Sequence, residues 1–62
     1  MLTQKQIARK VALKLDSTAD RYDQIWAIKQ ELIANGSEIL ATDRETIDEV
    51  LDILYHDYAF CG

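Results

Sequence analysis

Apolar side chains recur along this chain at intervals of three and four residues, the spacing that gathers them on one side of an α-helix. Ile7, Ala8, Val11, Ala12 and Leu15 form the first such row and predict a helix over residues 3–15. Its two alanines make the row shallow, so a neighbouring helix can come close. A second row, Tyr22, Ile25, Trp26, Ile28, Leu32 and Ile33, predicts a helix over 18–34. That apolar side takes in close to half the circumference, with Asp23, Gln24, Gln30 and Glu31 opposite. The third row, Ile47, Val50, Leu51, Ile53, Leu54, Tyr55 and Tyr58, predicts a helix over 43–58 that is apolar over more than half its surface. No stretch alternates apolar and polar residues as a strand does. The pattern is that of an all-α, three-helix domain covering residues 1–62.

Start and stop signals agree with these rows. Thr3 followed by Gln6 makes a capping box, and Thr42 followed by Glu45 makes a second, with Asp43 adding charge suited to a helix N-terminus. Residues 16–20 are polar groups that compete for backbone hydrogen bonds, which places a break there. No glycine or proline enforces that break, so one long bent helix stays open as an alternative. Asn35 and Gly36 stop the second helix, because glycine takes the left-handed conformation without steric cost. A short connection containing Ile39 and Leu40 leads to the third.

Size limits what can hold such a domain together. A chain of 62 residues buries only about 60% of the surface its unfolded form exposes, and small domains gain support from disulfides, metals, regular packing or self-association. Cys61 is the only cysteine and His56 the only histidine, which excludes an internal disulfide and leaves a closed zinc site without ligands. Regular packing or self-association remains. A helix as apolar as residues 47–58 needs neighbours on two sides, so the sequence predicts a homodimer resembling a four-helix bundle, joined through the second and third helices. The apolar tail, residues 59–62, is expected to dock as well.

Composition excludes several function classes. No apolar run approaches the roughly 20 residues of a membrane span, and the start of the chain leads into an amphipathic segment, which predicts a cytoplasmic protein without a membrane partner. The net charge of −4 is unevenly spread. Residues 1–15 carry Lys5, Arg9, Lys10 and Lys14 and no acid, whereas residues 38–62 carry seven acids against Arg44 alone. Such asymmetry suggests that the basic end lies beside an acidic helix, of the same chain or of a second copy.

Candidate chemistry is sparse. Asp52 and His56 stand four residues apart and could share a metal or position a proton, but only Asp48 and Asp57 are near, and an exposed helix pair accounts for them. Cys61 has no cation near it in sequence to activate its thiol. A chain this small is expected to lack room for a pocket of several hundred Å³. These readings predict no enzyme, no cofactor and no metal. An enzyme subunit whose site forms only with a partner is a further possibility.

Residues 2–11, which include Gln4, Ile7, Ala8 and Arg9, resemble the opening helix of many helix-turn-helix regulators. The resemblance implies DNA binding through the basic first helix. The family places a glycine-bearing turn and a basic recognition helix next; here residues 12–15 lack glycine, and the second helix exposes Asp20, Asp23 and Glu31 against Arg21 and Lys29. Nucleic acid is therefore disfavoured. The acidic group Asp48, Glu49 and Asp52 could instead imitate a phosphate backbone, or be an ordinary solvated face. Aromatic residues anchor many interfaces, and Trp26 and Phe60 are the most plausible contact residues, with Tyr22, Tyr55 and Tyr58 at core spacing. By elimination the sequence predicts a protein-binding adaptor, regulator or inhibitor, with Trp26, Tyr55, Tyr58, Phe60, Asp48, Glu49 and Asp52 as its contact set.

Overall fold

The capping box at Thr3 forms as the sequence predicts. In a computed structural model, which describes residues 3–60, the Gln6 N–H donates to the Thr3 hydroxyl at 3.2 Å and the Thr3 N–H donates to the Gln6 side-chain carbonyl at 2.8 Å. This starts α1 (Gln4–Lys14). Leu15 then turns extended, and the Ala19 N–H donates to the Asp16 carbonyl at 2.9 Å. The break therefore falls in the polar stretch, and the first two helices are separate. Asp20 caps α2 (Arg21–Ala34) by accepting from the Asp23 N–H at 2.8 Å.

Asn35 and Gly36 end α2 as expected. Gly36 sits at φ +77°, its N–H donates to the Ile33 carbonyl at 3.0 Å, and the Ser37 N–H donates to the Leu32 carbonyl at 2.8 Å. This double closure satisfies two of the carbonyls a helix end leaves free.

The connection that follows contains a single turn of helix, α3 (Glu38–Ala41), too short for periodicity to reveal. It moves the next cap by one residue. Thr42 closes α3 in helical conformation with its hydroxyl donating to the Ile39 carbonyl at 2.8 Å, so the predicted Thr42–Glu45 box does not form. Asp43 caps α4 (Arg44–Tyr58) instead, accepting from the Glu45 N–H at 3.3 Å and the Thr46 hydroxyl at 2.8 Å.

Ala59 ends α4 in the left-handed region, φ 56°, and the N–H groups of Ala59 and Phe60 both turn back to the Leu54 carbonyl. That reversal carries Phe60 into the core, where it is 4% exposed. The tail docks on its own chain; Cys61 and Gly62 lie outside the described residues.

The core joins Ile7, Ala8 and Val11 of α1 to Ala27, Ile28 and Leu32 of α2, Ala41 of α3, and Ile47, Val50, Leu51 and Leu54 of α4. Alanine at positions 8, 27 and 41 lets the backbones close together. Each fully buried Ile, Val or Leu contributes about 1.5–3 kcal/mol. Helix α4 packs against α1, α2 and α3, which cover Ile47, Val50, Leu51 and Leu54, whereas Tyr55 and Tyr58, expected at core positions, are exposed. The radius of gyration, 10.1 Å, is near the roughly 10.6 Å of a globular chain of this length.

Helix α2 departs from its sequence reading. Its buried residues are Gln24, Ala27, Ile28, Glu31 and Leu32, whereas Tyr22 and Ile33, expected inside, are exposed, together with Trp26, which lay at the edge of the predicted row as a contact residue. Two apolar rows lie on this helix, and the inner one includes two polar residues whose hydrogen bonds are met. The Gln24 side-chain amide donates to the Ala19 carbonyl at 2.9 Å. Glu31 takes a close ion pair from Lys14 and a bond from the Asn35 amide at 3.4 Å. With those partners in place, burial of the polar groups is tolerable, and the bulky aromatics are left outside.

Candidate functional site

The side of α2 turned away from the core is its most apolar exposed surface. Tyr22 is 84% exposed, Trp26 65% and Ile33 43%. At 100° per residue these three lie within roughly 40° of one another and about opposite the buried row. The stripe runs three turns, roughly 16 Å at 1.5 Å per residue.

Beside the stripe, α2 and α4 leave a groove of about 310 Å³ with Ile25 and Ile47 among its lining residues and Arg21, Lys29 and Arg44 at its edges. Arg21 reaches one oxygen of Asp48 at 3.7 Å and Arg44 the other at 4.0 Å. One carboxylate is thus shared loosely by two guanidinium groups, and Lys29 forms no ion pair among the described residues. The groove is locally cationic in a chain of net charge −4.

The outward side of α4 is acidic. Glu45, Glu49 and Asp52 are exposed and form no ion pair among the described residues, while Asp48 is drawn to Arg21 and Arg44. Tyr55 and His56 meet edge to face, ring centroids 5.1 Å apart. Asp52 and His56 share no hydrogen bond, and among the described residues no three His, Cys, Asp or Glu side chains gather as metal ligands. On α1, the outward residues Lys5, Arg9 and Lys10 carry no ion pair among the described residues, and Leu13 stands exposed between them. The basic α1 lies beside the acidic α4, as the charge asymmetry suggested, but among the described residues no ion pair joins them, and the one cross-helix bridge from α1 goes to Glu31 of α2.

The predicted contact residues are therefore scattered. Trp26 lies on the α2 stripe; Tyr55, Glu49 and Asp52 lie on the outer side of α4; Tyr58, at the last turn, is exposed to a lesser degree than Tyr55. Phe60 is spoken for by the core and offers no surface. The reason is the left-handed turn at Ala59, which composition does not announce. Tyr22, Ile33, Arg21, Lys29 and Arg44 were missed as surface partners of Trp26. The spacing of 22, 26 and 33 on one side of a helix was readable, but the larger side chains were assigned to the core.

Concavities of several hundred Å³ do exist, contrary to the expectation from size: one of about 650 Å³ runs along residues 36–40. Both this and the α2–α4 groove are open to solvent rather than enclosed. No helix among the described residues is long and apolar enough to cross a membrane. No protein-family model, curated protein or solved structure matches the chain.

Proposed function

We propose that this chain is a non-enzymatic protein-binding module, an adaptor, regulator or inhibitor of a larger protein, which docks its partner on the outward side of α2. The observation that carries the reading is the stripe Tyr22, Trp26 and Ile33, three turns of apolar surface on the side of the helix opposite its own core. Tyr22 and Trp26 leave most of their surface outside the core. Exposed apolar surface of this kind, rich in Trp and Tyr, is characteristic of interfaces. The single cysteine fits a reducing, cytoplasmic setting.

Capture from the source lysate on immobilised protein tests this. Trp26→Asp should lose the partner that wild-type protein retains, by about 30-fold or more if Trp26 anchors the interface. Glu49→Lys, on the far side of α4, should retain it. Equal capture by wild type and Trp26→Asp would sink the reading.

Self-association as a homodimer is the competing use of the α2 stripe, since the aliphatic side of α4 packs on helices of its own chain. Sedimentation equilibrium at tens of micromolar decides between monomer and dimer. A DNA-binding reading has one observation in its favour, the unpaired Lys5, Arg9 and Lys10 on α1. Against it, the turn that the helix-turn-helix likeness needs at residues 12–15 falls at 15–20, and the outward side of α2 is aromatic rather than basic. Salt-sensitive DNA affinity abolished by reversing Arg9 and Lys10 would favour it.

A further inference from the structure

We propose that the occupant of the α2 face is an acidic amphipathic helix of a partner protein, its apolar residues on Tyr22, Trp26 and Ile33 and its carboxylates on the α2–α4 groove. The inference rests on the α2 docking surface proposed above and adds the chemistry of what docks there.

Two features lie side by side on α2. Ile25 and Lys29 stand between the stripe and α4, so a helix laid along Tyr22, Trp26 and Ile33 brings its flank over the groove. A helix presenting apolar residues at i, i+3, i+4 and i+7 covers about two turns of such a surface, and one more apolar residue at i+11 extends it over the third. Its flank then meets Arg21, Lys29 and Arg44. Asp48 offers these three cations one carboxylate at 3.7 and 4.0 Å, which leaves two positive charges uncompensated. The apolar side chains of Ile25 and Ile47 in the groove lower the local dielectric once water is displaced, and that strengthens any pairing formed there. Arginine also matches carboxylate geometry with two parallel donors.

The alternatives fit less well. A second copy related by a two-fold axis presents the same face, cations included, and brings no compensating acid to the groove. The acidic α4 of a second copy has the charge but not the grip, because Ile47, Val50, Leu51 and Leu54 are committed to its own core. A nucleic-acid strand could stack on Tyr22 and Trp26. It would also meet aliphatic Ile33 and, in the groove, the carboxylate of Asp48.

Selection from a displayed library of random helical peptides, with wild-type protein as bait and Trp26→Asp as counter-bait, tests the proposal. Emission of Trp26, the only tryptophan, then gives the affinity of each selected peptide. Peptides that need Trp26 are expected to carry two or more net negative charges beside their apolar row. Arg21→Glu with Arg44→Glu, in one chain, should weaken them about tenfold or more, and Lys29→Glu should weaken them as well. Circular dichroism of each variant should match wild type, since all three side chains lie at the surface. Trp26-dependent peptides that are neutral or basic, or that ignore the arginine reversals, overturn the acidic partner and leave the docking surface standing. A library with no Trp26-dependent binder overturns both. Tighter quenching of Trp26 by oligothymidylate than by any selected peptide, or a micromolar dimer that Trp26→Asp dissociates, overturns the proposal in favour of a strand or a second copy.

Discussion

Ala59 holds a backbone conformation, φ 56° and ψ 33°, that L-residues with a β-carbon adopt at a penalty of roughly 1–2 kcal/mol. Glycine removes the penalty but loosens the unfolded chain, so Ala59→Gly is expected to stabilise the protein by about 0.5–1 kcal/mol in urea denaturation. A destabilised Ala59→Gly would mean that the alanine methyl contributes packing the backbone does not reveal. A second residue-scale device is the buried Glu31, whose carboxylate depends on Lys14 and Asn35. Lys14→Met should cost about 1–2 kcal/mol, short of the full penalty for a buried unpaired charge because Lys14 itself is largely exposed. Combining it with Glu31→Met should recover most of that loss. Additive losses in the double-mutant cycle would show that the two side chains are uncoupled.

At the scale of elements, the aliphatic part of the wide apolar side of α4 has its cover inside one chain, and Tyr55 and Tyr58 stay exposed. Helices α1, α2 and α3 all pack on it, and the returning tail adds Phe60 at the C-terminal end. The tail acts as a fourth neighbour made of one side chain. Phe60→Ala is therefore expected to destabilise by about 3 kcal/mol or more, a large part of the stability of so small a domain, with the loss seen as a lower urea midpoint. A loss under 1 kcal/mol would mean that the core refills the space or that the tail detaches at little cost.

For the molecule as a whole, three helices present three unlike outward faces: basic on α1, aromatic on α2 and acidic on α4. The faces are set by what the core leaves over, and the aromatic one, with three large apolar side chains in a row, runs furthest against the ordinary preference for burying apolar surface. Since Tyr22 and Trp26 leave most of their surface to solvent, Tyr22→Ser and Trp26→Asp should each shift stability by no more than about 0.5 kcal/mol in thermal melts. A drop of several kcal/mol would place those rings in the core after all and remove the case for docking on α2.

The sequence by itself determined the class of fold, the stop at Asn35 and Gly36, and the inner row of α1, because each rests on local backbone chemistry or on a single unambiguous apolar row; at residues 16–20 it indicated a break but left one bent helix open. Tertiary structure decided the rest. Helix α2 carries two candidate rows, and its orientation was settled by which polar side chains could find partners inside: Gln24 on the Ala19 carbonyl, Glu31 on Lys14 and Asn35. Turning α2 that way moved Trp26 from the margin of a predicted core to the middle of an exposed stripe and brought Tyr22 and Ile33 out with it. Phe60 moved in the opposite sense through one left-handed residue. Periodicity records which residues share a side of a helix; which side faces inward depends on hydrogen bonds and close contacts made between segments far apart in the chain.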